Sequence, residues 1–433
     1  MSTIGVGVLG FGTVGAGVVQ LIQERRELIR GRTGIDVRLR WVADPDTQRQ
    51  RPVALRDAPL IADASARLAD PDVQVVVELI GGIEPARRLI LAAIEAGKHV
   101  VTANKALLSR HGAEIFAAAR ARGVRVSYEA AVAGGIPILR SIRDGFTANR
   151  IDAVYGIING TANYILTRMD EEGEAFADVL RDAQRLGYAE ADPSYDVDGL
   201  DAAHKLVLLV HLALDRWITL DDFYVEGIRS IDPIDIHYAR EFGLRIKLLA
   251  IAKQTPSGIE ARVHPTMVPT RHLLADVRGN FNAVFVVGDA VGPTLHTGQG
   301  AGMLPTASAV LGDVLDVVRL APPRADGEGV CREQRGTVIP FGDLVVPYYL
   351  RFSVLDRPGV LSKISGVLGE HDISIASVMQ PERKHGQPVP IVMRSHEAHE
   401  RNVRAAFEAI ARFDVVTEPP RLIRIETGLG NES

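Results

Sequence analysis

The sequence holds a single cysteine, Cys331, so no disulfide can form within the chain. One thiol suits a reducing compartment, and its plain reading is a passive side chain. No run of 18 apolar residues occurs, which excludes a spanning helix. The apolar opening MSTIGVGVLGFG lacks a basic lead-in and is broken by glycines, so it reads as strand and turn rather than signal peptide. A soluble, cytoplasmic protein is expected, without a membrane partner. Positive charge is short as well: 49 Lys and Arg against 54 Asp and Glu give a net charge of -5, with both signs interspersed. Without a basic stripe, nucleic acid has little electrostatic hold, and a small molecule is the expected partner. Long internal repeats and low-complexity tracts are also missing.

What is present is a chain of 433 residues, 46% hydrophobic, too long for one ordinary core and suited to two or three domains. The first third alternates short β-branched runs with helical patterns, the rhythm of parallel strands joined by crossover helices. Strands are expected at 4–9, 37–43, 73–79, 100–102 and 124–128, with helices at 13–26, 85–96 and 105–122, stopped at the last two by Gly97 and Gly123. This predicts a doubly wound, Rossmann-type α/β domain over residues 1–133. Residues 134–300 mix strands and helices less regularly and read as an α+β substrate domain. A helix at about 300–320 is expected to return to the first domain. The proline-, glycine- and charge-rich stretch at 321–345 reads as a linker. Residues 346–427 then give the order βαββαβ.

Gly10, Gly12 and Gly15 form G-x-G-x-x-G between the first strand and first helix, the context that gives this short pattern its meaning. A Cβ at the first two positions would block the turn and the approach of a pyrophosphate, and the third lets helix and strand pack closely. Asp44, ending the second strand, is placed to hydrogen-bond ribose hydroxyls and favours NAD, although the interval from the glycines is long. Arg49 and Arg51 follow and can instead attract a 2'-phosphate, so NAD and NADP both stay open.

"VTANKALLSRHG" puts Thr102, Asn104 and Lys105 at the carboxyl end of a strand, where open parallel sheets bind ligands. "GYAEADPSYDVDGLDAAHKL" imitates a calcium loop, with Ser194, Asp196, Asp198 and Gly199 at the EF-hand offsets. The imitation fails because the first ligand is a serine and the last position, which wants glutamate, is Lys205. Lys205 lies near the start of a helix apolar nearly all round. Desolvation and the helix dipole should lower its pKa, which suits a general acid. Asp201, one turn earlier, opposes that shift and holds the amine. The competing reading makes Asp198 a helix cap, Asp201 part of a capping box, and Lys205 a snorkelling side chain.

With "GFGTVGAGV", "TANKALLSRHG", "YEAAVAGGIPI", "GIINGTANYILTRM", "GYAEADPSYDVDGLDAAHKL" and "GQGAGMLPTAS" in order, the chain resembles homoserine dehydrogenases that carry a C-terminal ACT domain, over essentially its whole length. The resemblance implies NAD(P)-dependent interconversion of L-aspartate 4-semialdehyde and L-homoserine, on the route to threonine, isoleucine and methionine. It implies Lys205 as proton donor, assisted by Lys105. Glu190 and Asp201 would hold the substrate ammonium, with Asp196 supporting the lysines. Phe11, Thr13, Val14, Gly187 and Gly302 would lie near the cofactor. A monovalent cation, usually Na+, is implied at Glu129, Val132, Gly134 and Ile136; by pattern alone Glu129 reads as a strand-end surface residue. The "DRPGVL" turn at 356–361 would open a helix able to receive an amino acid carboxylate. Threonine feedback and a homodimer or homotetramer are further implications. Two rivals stay open: another amino acid dehydrogenase of this architecture, and a non-catalytic amino acid sensor.

Overall fold

The computed structural model describes residues 2–319, 334–380 and 388–429. Cys331 and positions 321–333 of the expected linker lie outside the described residues. The first unit is built on an all-parallel six-stranded sheet of β1 (Ser2–Leu9), β2 (Ile35–Ala43), β3 (Leu60–Ile61), β4 (Val75–Glu78), β5 (His99–Thr102) and β6 (Val126–Ser127). Their order is β3-β2-β1-β4-β5-β6, reversing beside the first strand as a doubly wound sheet does. Helices cover both faces, which is why strands such as "VVVE" need not alternate: Val75, Val76 and Val77 are all fully buried.

Helix α1 (Thr13–Thr33) runs a further two turns beyond the expected end and closes on Gly34 in the left-handed region. The extra length carries polar residues that face solvent, so apolar periodicity did not reveal it, and it accounts for the long interval between the glycines and Asp44. Helices α2 (Ala86–Glu95) and α3 (Lys105–Arg122) complete the crossovers.

The second unit lays α4 (Gly160–Glu172), α5 (Leu200–Leu214) and α6 (Pro233–Glu241) against a sheet of β7 (Ile151–Ile157), β8 (Leu244–Thr255), β9 (Gly258–Pro269), β10 (Phe281–Gly288) and β11 (Gly292–Gln299). Helix α7 (Met303–Arg319) then packs along α1. The approach is close: a Cβ on Gly17 would stand 2.6 Å from the Met303 carbonyl oxygen.

The third unit comprises β12 (Tyr348–Leu355), α8 (Val360–Glu370), β13 (Ile375–Met379), β14 (Pro388–Ser395), α9 (Glu400–Ile410) and β15 (Arg421–Ile425). Its sheet is continuous with the second unit's. β15 pairs in parallel with β9 through Thr266–Arg424 and Met267–Ile425, giving the order β11-β10-β7-β8-β9-β15-β12-β14-β13; the short strand Tyr224–Val225 beside β9 makes ten strands. Residues 334–339 are not a free spacer. They hydrogen-bond to Trp217 and to Ile259 at 2.8–2.9 Å and lie along the second unit. Among the described residues no helix is long and apolar enough to cross a membrane.

Candidate active site

A cleft of about 560 Å³ opens where the first and second units meet, and the two lysines converge on its wall. Lys105 is the first residue of α3 and Lys205 lies in the second turn of α5. Asp201 joins them: one carboxylate oxygen accepts from Lys205 Nζ at 2.7 Å and the other stands 3.2 Å from Lys105 Nζ. Lys205 also donates to the Ile158 carbonyl at 2.7 Å. Asn159, the N-cap of α4, accepts from Ala162 N–H through its side-chain oxygen. That cap turns its amide nitrogen toward the carboxylates, 2.8 Å from Asp196 and 2.9 Å from Asp201.

Burial sets the charge states. Burial pushes Asp201 up, but Lys205 and Lys105 outweigh it and hold the carboxyl at about 2. Lys205 is lowered from the ordinary lysine value, first by desolvation, with Asp201 opposing and Lys105 reinforcing the shift. Burial raises Asp196, with the Asn159 amide pulling against it and the Asp201 charge adding to it. The site therefore holds a desolvated ammonium beside a firmly ionised carboxylate, with a more weakly acidic carboxyl at its edge. Such an ammonium can give up its proton more readily than a solvated lysine.

A second set of residues fastens α3 to α5. Ser109 Oγ lies 2.5 Å from His204 Nδ1, both buried, and His204 stacks on Tyr195, whose ring faces the Lys105 ammonium at 5.8 Å. Burial, helped by Arg110, lowers His204 to about 4, so its imidazole is neutral.

At the nucleotide end, Gly10 has φ +97, and a Cβ there would meet the Leu79 carbonyl at 2.7 Å; one on Gly15 would meet the Gly10 carbonyl at 2.1 Å. Gly12 has nothing within 4 Å on its Cβ side, which leaves the space a pyrophosphate needs. Helix α1 starts with Thr13 and Val14, has no side-chain cap and has no acid in its first turn, so its free N–H groups suit an anion. Val14, Gly187 and Gly302 also line the cleft, linking this loop to the lysines.

Several expected contacts differ. Asp198 does not cap α5: Gly199 is the N-cap, without a side-chain hydrogen bond, and Asp198 pairs with Arg229. Nor is Asp201 part of a capping box, since its oxygens are taken by Lys205, Lys105 and Asn159. Glu190 is exposed and is not among the residues that line the cleft. Thr102 turns inward, donating to buried Glu78 at 2.6 Å, and Phe11 is 2% exposed, so its ring is in the core. Asp44 accepts from Phe11 N–H and pairs with Arg51. Arg51 is itself folded back onto the carbonyls of Phe11, Arg49 and Asp46, while Arg49 is exposed.

Glu129 is buried, at 4% exposure, not a surface residue. Its carboxylate accepts from Leu139 and Arg140 N–H, and burial raises its pKa. The carbonyls of Glu129 and Ile136 each accept one backbone hydrogen bond, leaving a second lone pair on each. Val132 is fully buried nearby, and Gly134 abuts Gly300. Among the described residues no group of three or more His, Cys, Asp or Glu side chains is arranged for a metal. A site here would rest on one carboxylate and main-chain oxygens, a donor set that fits a weakly held hard cation.

A glycine loop for a dinucleotide, opening onto a lysine–carboxylate cleft, defines an NAD(P)-dependent oxidoreductase. The chain matches the family described as homoserine dehydrogenase over residues 137–315, its NAD-binding domain over 10–129 and the ACT domain over 348–414. It is 45% identical to the homoserine dehydrogenase of Pseudomonas aeruginosa, over 98% of this chain and 99% of that one. It is 43% identical to that of Neisseria gonorrhoeae, over 99% of each. The crystal structure of a homoserine dehydrogenase from Thiobacillus denitrificans superposes with a TM-score of 0.92 at 46% identity, covering 99% of both chains. The chain belongs to the homoserine dehydrogenase family.

Proposed function

We propose that this chain interconverts L-aspartate 4-semialdehyde and L-homoserine, with Lys205 as the acid and base. The nicotinamide cofactor, when bound, supplies or accepts the hydride. In the reducing direction Lys205 Nζ gives a proton to the aldehyde oxygen as its carbon gains hydride; in the oxidising direction the neutral amine takes the hydroxyl proton. Asp201 positions both lysines, and Lys105, more exposed, steadies the substrate oxygen. Asp196, which lines the cleft, is better placed than exposed Glu190 to meet the substrate ammonium. The observation that carries this reading is the buried Lys205–Asp201 pair on the cleft wall, with half-buried Lys105 on the other carboxylate oxygen.

Lys205→Ala should lose about 10²–10⁴-fold in turnover, the range for one general acid, while cofactor titration still shows binding; a fully active variant would overturn the role. Homoserine oxidation assayed against other amino acids separates this reading from its relatives. Because Lys205 has a lowered pKa, aldehyde reduction should fall as pH rises through that value, and homoserine oxidation should rise over the same range. Parallel limbs in both directions would contradict the assignment.

The finer parts of the reading rest on the resemblance. Asp44 beside the glycine loop supports NAD and exposed Arg49 supports NADP; comparing kcat/KM for the two, with and without Arg49→Ala, decides between them. Glu129 with the carbonyls of Val132, Gly134 and Ile136 would hold Na+, which activity measured in sodium-free buffer tests. The ACT unit would respond to threonine, and the assembly would be a homodimer or homotetramer, measurable by light scattering.

A further inference from the structure

We propose that Asn104 and Glu78 are positioning residues that latch the loop of residues 79–82 to the first turn of α3, so that a dinucleotide seated against the loop sets the place of Lys105. The proposal rests on the reading of Lys105 as a group at the reacting centre and adds the means by which cofactor binding reaches it. The loop leaves the carboxyl end of β4 beside the glycine loop: a Cβ on Gly10 would stand 2.7 Å from the Leu79 carbonyl oxygen. That is the crevice in which open parallel sheets take their ligands. Because β4 stands between β1 and β5, the loop lies between the glycine loop and α3. Gly81 and Gly82 have φ of +79 and +70, are exposed and have nothing within 4 Å on their Cβ side, so the loop presents bare backbone there.

The latch is a ring of hydrogen bonds. The Glu78 carboxylate, fully buried, accepts from Ile80 N–H at 2.8 Å, from Gly81 N–H at 3.3 Å and from the Thr102 hydroxyl at 2.6 Å. The Thr102 oxygen accepts in turn from Asn104 N–H at 3.0 Å. Asn104 closes the ring through its side-chain nitrogen, which donates to the Gly82 carbonyl at 2.7 Å, while its side-chain oxygen accepts from Leu107 N–H and caps α3. Two features exceed what the fold alone calls for. Serine, threonine or aspartate would cap the helix as well, but only an amide gives the helix an oxygen and the loop a nitrogen. A carboxylate after three buried valines is costly to desolvate, and it is kept by donors drawn from both the loop and β5. Lys105 follows Asn104 directly, so a shift of the loop is carried to the lysine paired with Asp201.

The test separates the two tasks of Asn104. Asn104→Ser keeps a helix cap and removes the nitrogen that reaches Gly82. The full chain is titrated with NADPH and with NADH in turn, without substrate, and binding is followed by nicotinamide fluorescence. Affinity for the better-bound of the two should weaken roughly 3- to 10-fold, as for one lost hydrogen bond. Turnover should fall by a similar factor, and the unfolding midpoint should stay close to that of the wild type. Glu78→Gln, which puts an amide among three donors, should weaken cofactor binding at least as much. Cofactor affinity unchanged in Asn104→Ser would show that Asn104 only caps α3, and overturns the latch.

The link to Lys105 is read from a double-variant cycle. In a Lys105→Ala background, Asn104→Ser should still weaken cofactor binding but should lower kcat no further. A drop in kcat as large as in the wild-type background overturns the relay to Lys105, and so does weakened binding with kcat intact in the single variant. Full turnover in Lys105→Ala would instead sink the reading of Lys105 itself. The fluorescence titration, which needs no turnover, would then still decide whether the loop is latched.

Discussion

Asn159 shows how one neutral side chain organises four charged ones. Its oxygen is committed to capping α4, so its amide nitrogen has only the two carboxylates to serve. An acidic residue there would add a third negative charge, and an apolar one would remove a donor that Asp196 and Asp201 share, at about 0.5–1.5 kcal/mol for each hydrogen bond lost. The amide lowers the pKa of Asp196, so its removal lets burial raise that carboxyl further. Asn159→Leu is therefore expected to reduce kcat/KM by roughly 10- to 100-fold and to move the acidic limb of its pH profile to higher pH. A limb that stays in place would show that Asp196 does not take part. The motif GIINGTANYILTRM drew attention to this segment, but nothing in it tells which way a capping amide faces.

At the scale of elements, catalytic geometry depends on how α3 stands against α5, because each carries one lysine. Ser109, a turn beyond Lys105, and His204, beside Lys205, fasten the two helices, and further along the same contact Phe116 stacks on His211, which meets Trp217 edge-on. His204→Ala should cost about 0.5–1.5 kcal/mol near neutral pH, since it removes the hydrogen bond to Ser109, whose hydroxyl keeps the Ala106 carbonyl, and should lower activity through Lys105. Its pH dependence has a definite sign. The folded-state pKa, about 4, lies below the ordinary 6.5, so the unfolded chain binds the extra proton between these values and the stability owed to neutral His204 drains away as pH falls across that window. Denaturant unfolding at pH 7 and pH 5 checks this: the variant should lose less stability between the two than the wild type. An equal loss would place the titration elsewhere. The periodic pattern of α5 marked it as buried, whereas the Ser109 contact, 95 residues away in sequence, has no local signature.

For the whole molecule, the ACT unit is an extension of the second unit's sheet. β15 hydrogen-bonds to β9, and buried charge crosses the seam: Glu426 meets Arg262 at 2.6 Å and Lys253 at 3.0 Å, and Arg351 meets Asp235 at 2.6 Å. Removing one member of such a buried pair leaves an uncompensated charge, at about 3–5 kcal/mol. Glu426→Gln should therefore lower the unfolding midpoint markedly, and Glu426→Leu combined with Arg262→Met should recover much of the loss; unchanged stability in the single variant would show that the seam contributes little. A chain ended before residue 346 should be poorly soluble, for it would bare the edge of β9 and the apolar surface that Tyr349, Ile423 and Ile425 cover. Point variants, not truncation, are the way to separate the ACT unit's influence from its structural role.

The sequence by itself determined the local pieces: the glycine loop between strand and helix, the βαββαβ order of the third unit, the apolar helix bearing Lys205, and the order of motifs that marks the family. Each of these depends on spacing along the chain, where backbone geometry and hydrophobic period act over a few residues. Only the tertiary structure decided that Asp201 serves both lysines rather than a helix end, that Thr102 and Phe11 turn inward, that Glu129 is buried, and that β9 and β15 join two units into one sheet. Those outcomes are settled by desolvation and pairing between residues far apart in sequence, and a carboxylate's partner is fixed by what burial brings beside it.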